Sequence, residues 1–309
     1  MNKVLCICPN PSIDVTIPLN GLTVGGLNRT DKTVKTYSGK AVNVAKGTVR
    51  LGMQATLCGF MFDANGQEFC TNVEKHNVAV DAVWCKGEVR TNYKLAESSG
   101  RLTEINSKGD QVDEKAQAEL LNKISDISGG YDVTVISGSL PKGAADSFYG
   151  DMVKAAKSKH IICDTEGDKL LSAIKAGAAL VKPNIHELSQ IAGKTLKTQT
   201  DILFAAKGLI NLGAKIVLVS LGVDGALITD GKSHYCADAP KVKALSTVGA
   251  GDSMLSACAI ALSQNKPLPE ILLSAVAAGT AAVMSEGTNL FSAEDFEGLL
   301  QRIKTERVM

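Results

Sequence analysis

"DVTVISGSLPKGAADSFYGDMVKAAKSKHIICD", residues 132–164, sets a short β-branched run, a helical stretch and a second short run in series. "VTVIS" and "HIICD" read as buried strands, and "SFYGDMVKAAKS" between them reads as a helix. Strand, helix and strand over some thirty residues make a βαβ unit, whose strands are parallel and whose crossover is right-handed. The same alternation runs outward in both directions. "KVLCIC", "ATLCGF", "AALVKPN" and "KIVLVSLG" read as further strands, and "AVNVAKGTVRLG", "KAQAELLNKISDI", "DILFAAKGLINLG" and "DSMLSACAIALS" as further helices. The expected fold is α/β, a mostly parallel sheet with helices on both faces.

Bulk properties narrow the function. Of 309 residues 45% are hydrophobic, enough for one large core or two unequal ones. Thirty-three Lys and Arg against thirty-two Asp and Glu leave a net charge of +1. No global field then favours nucleic acid or an anionic membrane, and any anion site must be local. The eight cysteines include no C-x-x-C pair and no zinc spacing, and Cys58, Cys163 and Cys258 read as buried thiols. The N-terminal "MNKVLCICPNP" lacks a signal-peptide core, and no run is long enough to span a membrane. A cytoplasmic protein is expected.

Two regions break the rhythm. Residues 12–37 and 85–107 are polar, glycine-punctuated and β-prone. They read as strand excursions that either pair with each other as a small lid or form two separate surface hairpins.

"ALSTVGAGDSMLSACAIAL", residues 244–262, opens a helix with glycines 249 and 251 and the carboxylate of Asp252. Glycines let backbone approach a ligand, and first-turn amides with the helix dipole favour an anion. Asp252 is equally readable as a first-turn carboxylate that complements the dipole. The dinucleotide fingerprint fails because its third glycine falls on Met254. The P-loop pattern fails twice, at Leu188 in "LSQIAGKT" and at Ala226 in "ALITDGKS".

"STVGAGDSM" resembles the signature of the ribokinase-like, PfkB-type sugar kinases. "NPSID" (10–14), "SGKAVNVA" (38–45), "ISGSLPKG" (136–143), "KPNIHE" (182–187), "SLGVDGA" (220–226) and "SEGTNL" (285–290) follow the same family in order. "VRTN" (89–92) and "KPN" are most similar to its 1-phosphofructokinase and tagatose-6-phosphate kinase branches. The resemblance implies a single domain over 1–309, a ribokinase-like three-layer α/β/α sandwich with a small β-strand lid. It also implies an ATP-dependent kinase of a ketohexose monophosphate, foremost fructose 1-phosphate with tagatose 6-phosphate second, and a homodimer paired through the lids. A non-catalytic sugar or nucleotide sensor on the same fold is the alternative of another class. Loss of Asp252 or of the glycine loop would have favoured it, and both are present.

The resemblance assigns Asp252 as catalytic base and the amides of Gly249, Ala250 and Gly251 as an anion hole. Asp14, Arg29, Gly39, Lys40, Asn43, Arg90 and Ser139 fall on the sugar side. Lys182, Asn184, Ser220, Gly222, Gly225 and Gly279 fall on the ATP side, and Asn184 and Glu187 on magnesium, through water. Carbonyls near Ser246, Val248 and Gly287 are implied as a site for a monovalent cation such as K+. Local readings stand beside these. Asn184 and Glu187 have capping-box spacing, "SLGVDGA" suits a plain hairpin turn, and the small residues of 275–284 suit helix packing. Asp14 suits a turn, Asn43 an N-cap, and Arg29 and Arg90 solvated positions. The pattern departs from the family around Lys40, where Ser38–Gly39 and Ala41 replace expected glycines.

Overall fold

Strands form where short apolar runs leave no helical face to bury. The computed structural model describes residues 3–285 and 290–308. The elements begin β1 (Lys3–Cys8), β2 (Ser12–Leu19), β3 (Val34–Ser38), α1 (Lys40–Arg50), β4 (Gln54–Phe62), α2 (Gly66–Glu74), β5 (Ala79–Cys85), β6 (Arg90–Glu97) and β7 (Leu102–Asn106). They continue α3 (Glu114–Ile127), β8 (Val133–Ser137), α4 (Phe148–Ala155), β9 (His160–Asp164), α5 (Gly167–Lys175), β10 (Leu180–Val181), α6 (Ile185–Ala192) and α7 (Gln199–Asn211). The last are β11 (Ile216–Ser220), β12 (Ala226–Thr229), β13 (His234–Ala237), α8 (Ala250–Ser263), α9 (Leu268–Val283), α10 (Ala293–Leu300) and β14 (Glu306–Arg307).

Ten of the described strands form one sheet in the order β14-β13-β12-β11-β10-β9-β8-β1-β4-β5. Strands β5 through β11 in that order are parallel, and β12, β13 and β14 add an antiparallel edge. Helices α1, α8, α9 and α10 pack together on the sheet, and α3 to α7 form a second row against it. The core lies between these layers, with Leu5, Ile7, Leu57, Phe60 and Ile136 fully buried. Each such side chain stabilises the fold by about 1.5–3 kcal/mol relative to exposure.

The strand expected in "AALVKPN" shrinks to Leu180–Val181. Pro183 has no N–H to give a ladder, and Asn184 turns away to cap α6. The polar excursions do pair with each other. β2 runs parallel to β6, with β3 and β7 antiparallel on the outside, in a separate four-stranded sheet. The register sets Ser12 beside Arg90, Asp14 beside Asn92 and Thr16 beside Lys94, so these six share one face.

Helix α8 shows little amphipathicity because it is packed on nearly every side, between α1 and α9. A carboxylate in its first turn is therefore carried into the interior. No helix among the described residues is long and apolar enough to cross a membrane.

Candidate active site

The chain builds outward from β1 to β4 and β5, then returns to the other side of β1 for β8 to β11. That reversal places a crevice between the carboxyl ends of β1 and β8, where open α/β sheets bind ligands. Asn10 follows β1 and Ser139 follows β8, and Asn10 Nδ2 donates to Ser139 Oγ at 3.2 Å and to the Leu140 carbonyl at 3.1 Å. The neighbouring strands end on Asp164 (β9), just before Lys182 (β10) and on Ser220 (β11).

The N-terminus of α8 closes this crevice. Gly249 takes φ 79°, a left-handed backbone open to glycine, and no side chain caps the helix. The Ala250 amide reaches the Thr247 carbonyl at 3.5 Å, and the amides that follow it in the first turn are left for a ligand. Asp252 is buried, and its Oδ2 accepts a hydrogen bond from Asn43 Nδ2 at 2.8 Å. Asn43 sits in the first turn of α1, and Gly39 caps that helix where an added Cβ would lie 2.9 Å from Cys8 Sγ. Burial pushes the Asp252 carboxyl up to about 6, reinforced by the nearby negative charge of Asp164. The Asn43 hydrogen bond and the ammonium groups of Lys40 and Lys182 act in the opposite direction.

Asp164 escapes the motifs altogether, and its place at the end of the buried run "HIICD" is the one sign of it in the sequence. Its side chain is 2% exposed. Oδ2 accepts from Lys40 Nζ and from Ser137 Oγ, both at 3.3 Å. Oδ1 faces Lys182 Nζ at 3.4 Å but makes no hydrogen bond in that geometry. Burial alone would raise this carboxyl, yet Lys182 and Lys40 outweigh it and hold Asp164 below the usual carboxylate range. Asp164 in turn holds the Lys40 ammonium well above its ordinary pKa. Two carboxylates pushed apart in this way fit one as a fixed charge and the other as a proton acceptor.

On the sugar side Asp14 is buried within β2 and forms no turn. Its Oδ1 accepts from Ser12 Oγ at 3.0 Å and Asn92 Nδ2 at 2.9 Å, and its Oδ2 accepts from Lys94 Nζ at 3.0 Å. Ser12, Asn92 and Lys94 were not anticipated. Their alternation along paired strands was the available sign. Arg90 is no solvated surface residue. Its Nη2 and Nη1 donate to the carbonyls of Asn10 (3.3 Å) and Ser107 (3.2 Å), and its buried Nε has no partner. Arg29 is not brought to this crevice within one chain. It is exposed and lies with Pro18 and Leu19, at the opposite end of β2 from Ser12 and Asp14. Thr30, next to it, donates to the Pro18 carbonyl.

On the other side of the crevice the capping box forms. Asn184 Oδ1 accepts from the amides of His186 and Glu187, and Glu187 Oε2 accepts from the Asn184 amide, each at 2.9 Å. Asn184 also bridges to Ser220 across β11. Gly222 faces open space, whereas Gly225 is required by the fold: its Cβ would fall 1.9 Å from the Ala237 carbonyl oxygen. Gly279 likewise admits Met254, whose Cγ would be 2.8 Å from an added Cβ. Both glycines thus have packing reasons of their own. The Ser246 and Val248 segment is tied by the Ser246 amide to the Val283 carbonyl. Gly287 and most of "SEGTNL" lie outside the described residues.

Comparison with known proteins places the chain in a family. Residues 9–295 match the family described as pfkB family carbohydrate kinase. A 1-phosphofructokinase of Bacillus subtilis is 31% identical over 301 residues, 97% of this chain and 98% of that one. A tagatose-6-phosphate kinase of Staphylococcus epidermidis is 30% identical over 310 residues, 99% and 100% of the two chains. The crystal structure of phosphofructokinase-2 from Escherichia coli in complex with potassium superposes with a TM-score of 0.92 at 33% identity, covering 98% and 99%. With its fold and its sequence in agreement over nearly the whole length, the chain belongs to the pfkB family of carbohydrate kinases.

Proposed function

We propose that the protein transfers the γ-phosphoryl group of ATP to the 6-hydroxyl of fructose 1-phosphate, giving fructose 1,6-bisphosphate. The observation that carries the choice of a phosphorylated sugar is Arg90. It is anchored at the crevice beside Asp14 and Asn10, with a buried Nε left unpaired. A guanidinium so held offers a rigid donor to phosphate oxygens. Tagatose 6-phosphate is the second reading, supported by the relative of that name. Release of ADP across fructose 1-phosphate, tagatose 6-phosphate, fructose 6-phosphate, fructose and ribose tests the assignment. Turnover of free fructose or ribose as efficient as that of any phosphosugar contradicts it.

In this reading Asp252 takes the proton of the attacking hydroxyl through Oδ1, while Asn43 holds Oδ2. The amides of Gly249, Ala250 and Gly251 meet the charge that develops on the moving phosphoryl group. Lys40 serves the sugar side, and Lys182, Ser220 and Gly222 surround the phosphates and nucleotide. The four-stranded sheet, with residues 1–309 as one kinase domain, acts as a lid that excludes water from the sugar. Exposed Tyr93, Leu102 and Ile105 on that sheet support pairing of two lids in a homodimer.

The donor set suits a magnesium ion held largely by substrate phosphates and water. Among the described residues no group of three or more His, Cys, Asp or Glu side chains could hold a metal by itself. Asn184 Oδ1 is committed to two amides, which leaves Glu187 Oε1 as the free acceptor here. Bound magnesium would neutralise phosphate charge during transfer. A monovalent cation at the Ser246 and Val248 carbonyls is proposed on the family resemblance and on the potassium named with the Escherichia coli relative.

Two results follow. Arg90→Ala raises KM for the phosphosugar by one to two orders of magnitude, as expected for loss of a charged hydrogen bond of ~1.5–3 kcal/mol. KM for ATP barely moves. Glu187→Gln raises the magnesium concentration needed for half-maximal rate, while the melting temperature stays near wild type because glutamine still accepts the capping bond. A collapsed melting temperature with unchanged magnesium dependence would reduce Glu187 to a cap.

A further inference from the structure

The lysines assigned to opposite substrates converge on one side chain that neither assignment includes. Lys40 comes from α1 on the sugar side, Lys182 from the end of β10 on the nucleotide side, and Asp164 lies between them. We propose that Asp164 is a positioning residue that holds both ammonium groups at fixed places beside Asp252, so that the two substrate sites are charged and spaced before either fills. The proposal rests on the kinase reading above and adds to it a physical link between the two sites.

Four observations support it. Asp164 ends β9, an interior strand flanked by β8 and β10, so its backbone is held on both sides. Ser137 on β8 donates to Oδ2 and helps fix the carboxylate. The contacts at 3.3 and 3.4 Å are longer than the ~2.7–2.9 Å of a tight charge-assisted bond. Each ammonium has three donors and keeps some of them for phosphate oxygens. An ion pair that served stability alone would be expected to close up and satisfy Oδ1, which here has no hydrogen bond. Finally, an added Cβ on Gly251 would lie 3.1 Å from Lys182 Nζ, so Asp164 sets that ammonium directly against the first turn of α8. The ionisable and polar groups that face Asp252 are Asp164 from β9, Lys40 and Asn43 from α1, and Lys182 after β10.

The test is Asp164→Asn in the full chain, with ATP and whichever sugar phosphate the wild type turns over best. Expected is a loss of about tenfold to hundredfold in kcat/KM for both substrates, the range for a charged hydrogen bond. The acidic limb of the kcat/KM pH profile also moves to lower pH, because Asp252 loses a neighbouring negative charge. A lowered melting temperature with wild-type kcat/KM and an unmoved acidic limb would make Asp164 a structural ion-pair partner only and overturn the proposal. If Asp164→Asn does not fold, the cycle of Lys40→Met against Lys182→Met decides. Non-additive losses in kcat/KM support coupling through the shared carboxylate, and additive losses overturn it. Absence of wild-type turnover on every sugar phosphate would sink the kinase reading together with this role. Wild-type turnover with an unaffected Asp164→Asn sinks this role alone.

Discussion

Asp252→Asn lowers kcat by about 10²–10⁴-fold, the range for general base catalysis, and leaves both KM values close to wild type. Asparagine keeps the shape of the carboxylate and can still accept from Asn43 Nδ2, so the packing of α8 against α1 survives. What is lost is the ability to take a proton. In the wild type this ability depends on ionisation of a carboxyl raised to about 6 by burial and by Asp164. The rate therefore falls as pH drops below that value and Asp252 protonates, and the acidic limb is absent from the variant. Stability should move the other way. A carboxyl whose folded-state pKa lies above its unfolded value binds protons more tightly when folded, so the native state loses stability as pH rises from about 4 through 6. At neutral pH a shift from 3.8 to about 6 corresponds to a cost on the order of 3 kcal/mol. Asp252→Asn removes that ionisation and should melt at a higher temperature than wild type, an inactive protein more stable than the active one. A rate near wild type would leave Asp252 as a helix-dipole partner.

Gly251→Val makes activity hard to detect. Even a methyl at this position meets Lys182 Nζ at 3.1 Å, and the larger branched side chain has to push the ammonium out of its contact with Asp164. The same bulk stands over the first-turn amides proposed to receive the transferring phosphoryl group. Loss of a single oxyanion donor costs about 2.7–4 kcal/mol in other enzymes, and here displacement of a cation adds to it. Gly251 lies in the first turn of α8, so valine adds little strain beyond its lower helix propensity, and circular dichroism should show a folded protein. A folded variant with ordinary turnover would remove the anion-hole assignment.

The parallel sheet was legible because its strands are short apolar runs and its helices carry apolar faces. The position of Asp252 was legible because two glycines and a carboxylate open a helix that is otherwise apolar but for three serines. Asp164 was not. A lone aspartate ending a strand resembles many strand ends, and its partner Lys40 is 124 residues away in sequence. The position of Arg29 was not legible either: a cation in a polar loop carries no sign of which end of β2 it will reach. Gly225 and Gly279 fall on the ATP side by resemblance, yet the Ala237 carbonyl and Met254 already require them. Contacts of that kind arise only once distant elements pack. Helix α2 was missed although Gly66, Phe69, Cys70 and Val73 recur at i, i+3, i+4 and i+7, because a nine-residue segment offers that repeat once and a glycine fills its first position.

The central claim is that Asp252 deprotonates a hydroxyl of a sugar that already carries a phosphate. Phosphorus NMR of fructose 1-phosphate incubated with magnesium, ATP and enzyme tests it most directly, with Asp252→Asn run in parallel. The account predicts that the wild type produces a second sugar-phosphate resonance, equal in intensity to the first, as ADP accumulates. The variant should leave fructose 1-phosphate and ATP essentially unchanged over the same time. Wild-type ADP accompanied only by inorganic phosphate, or equal product from wild type and variant, would contradict it.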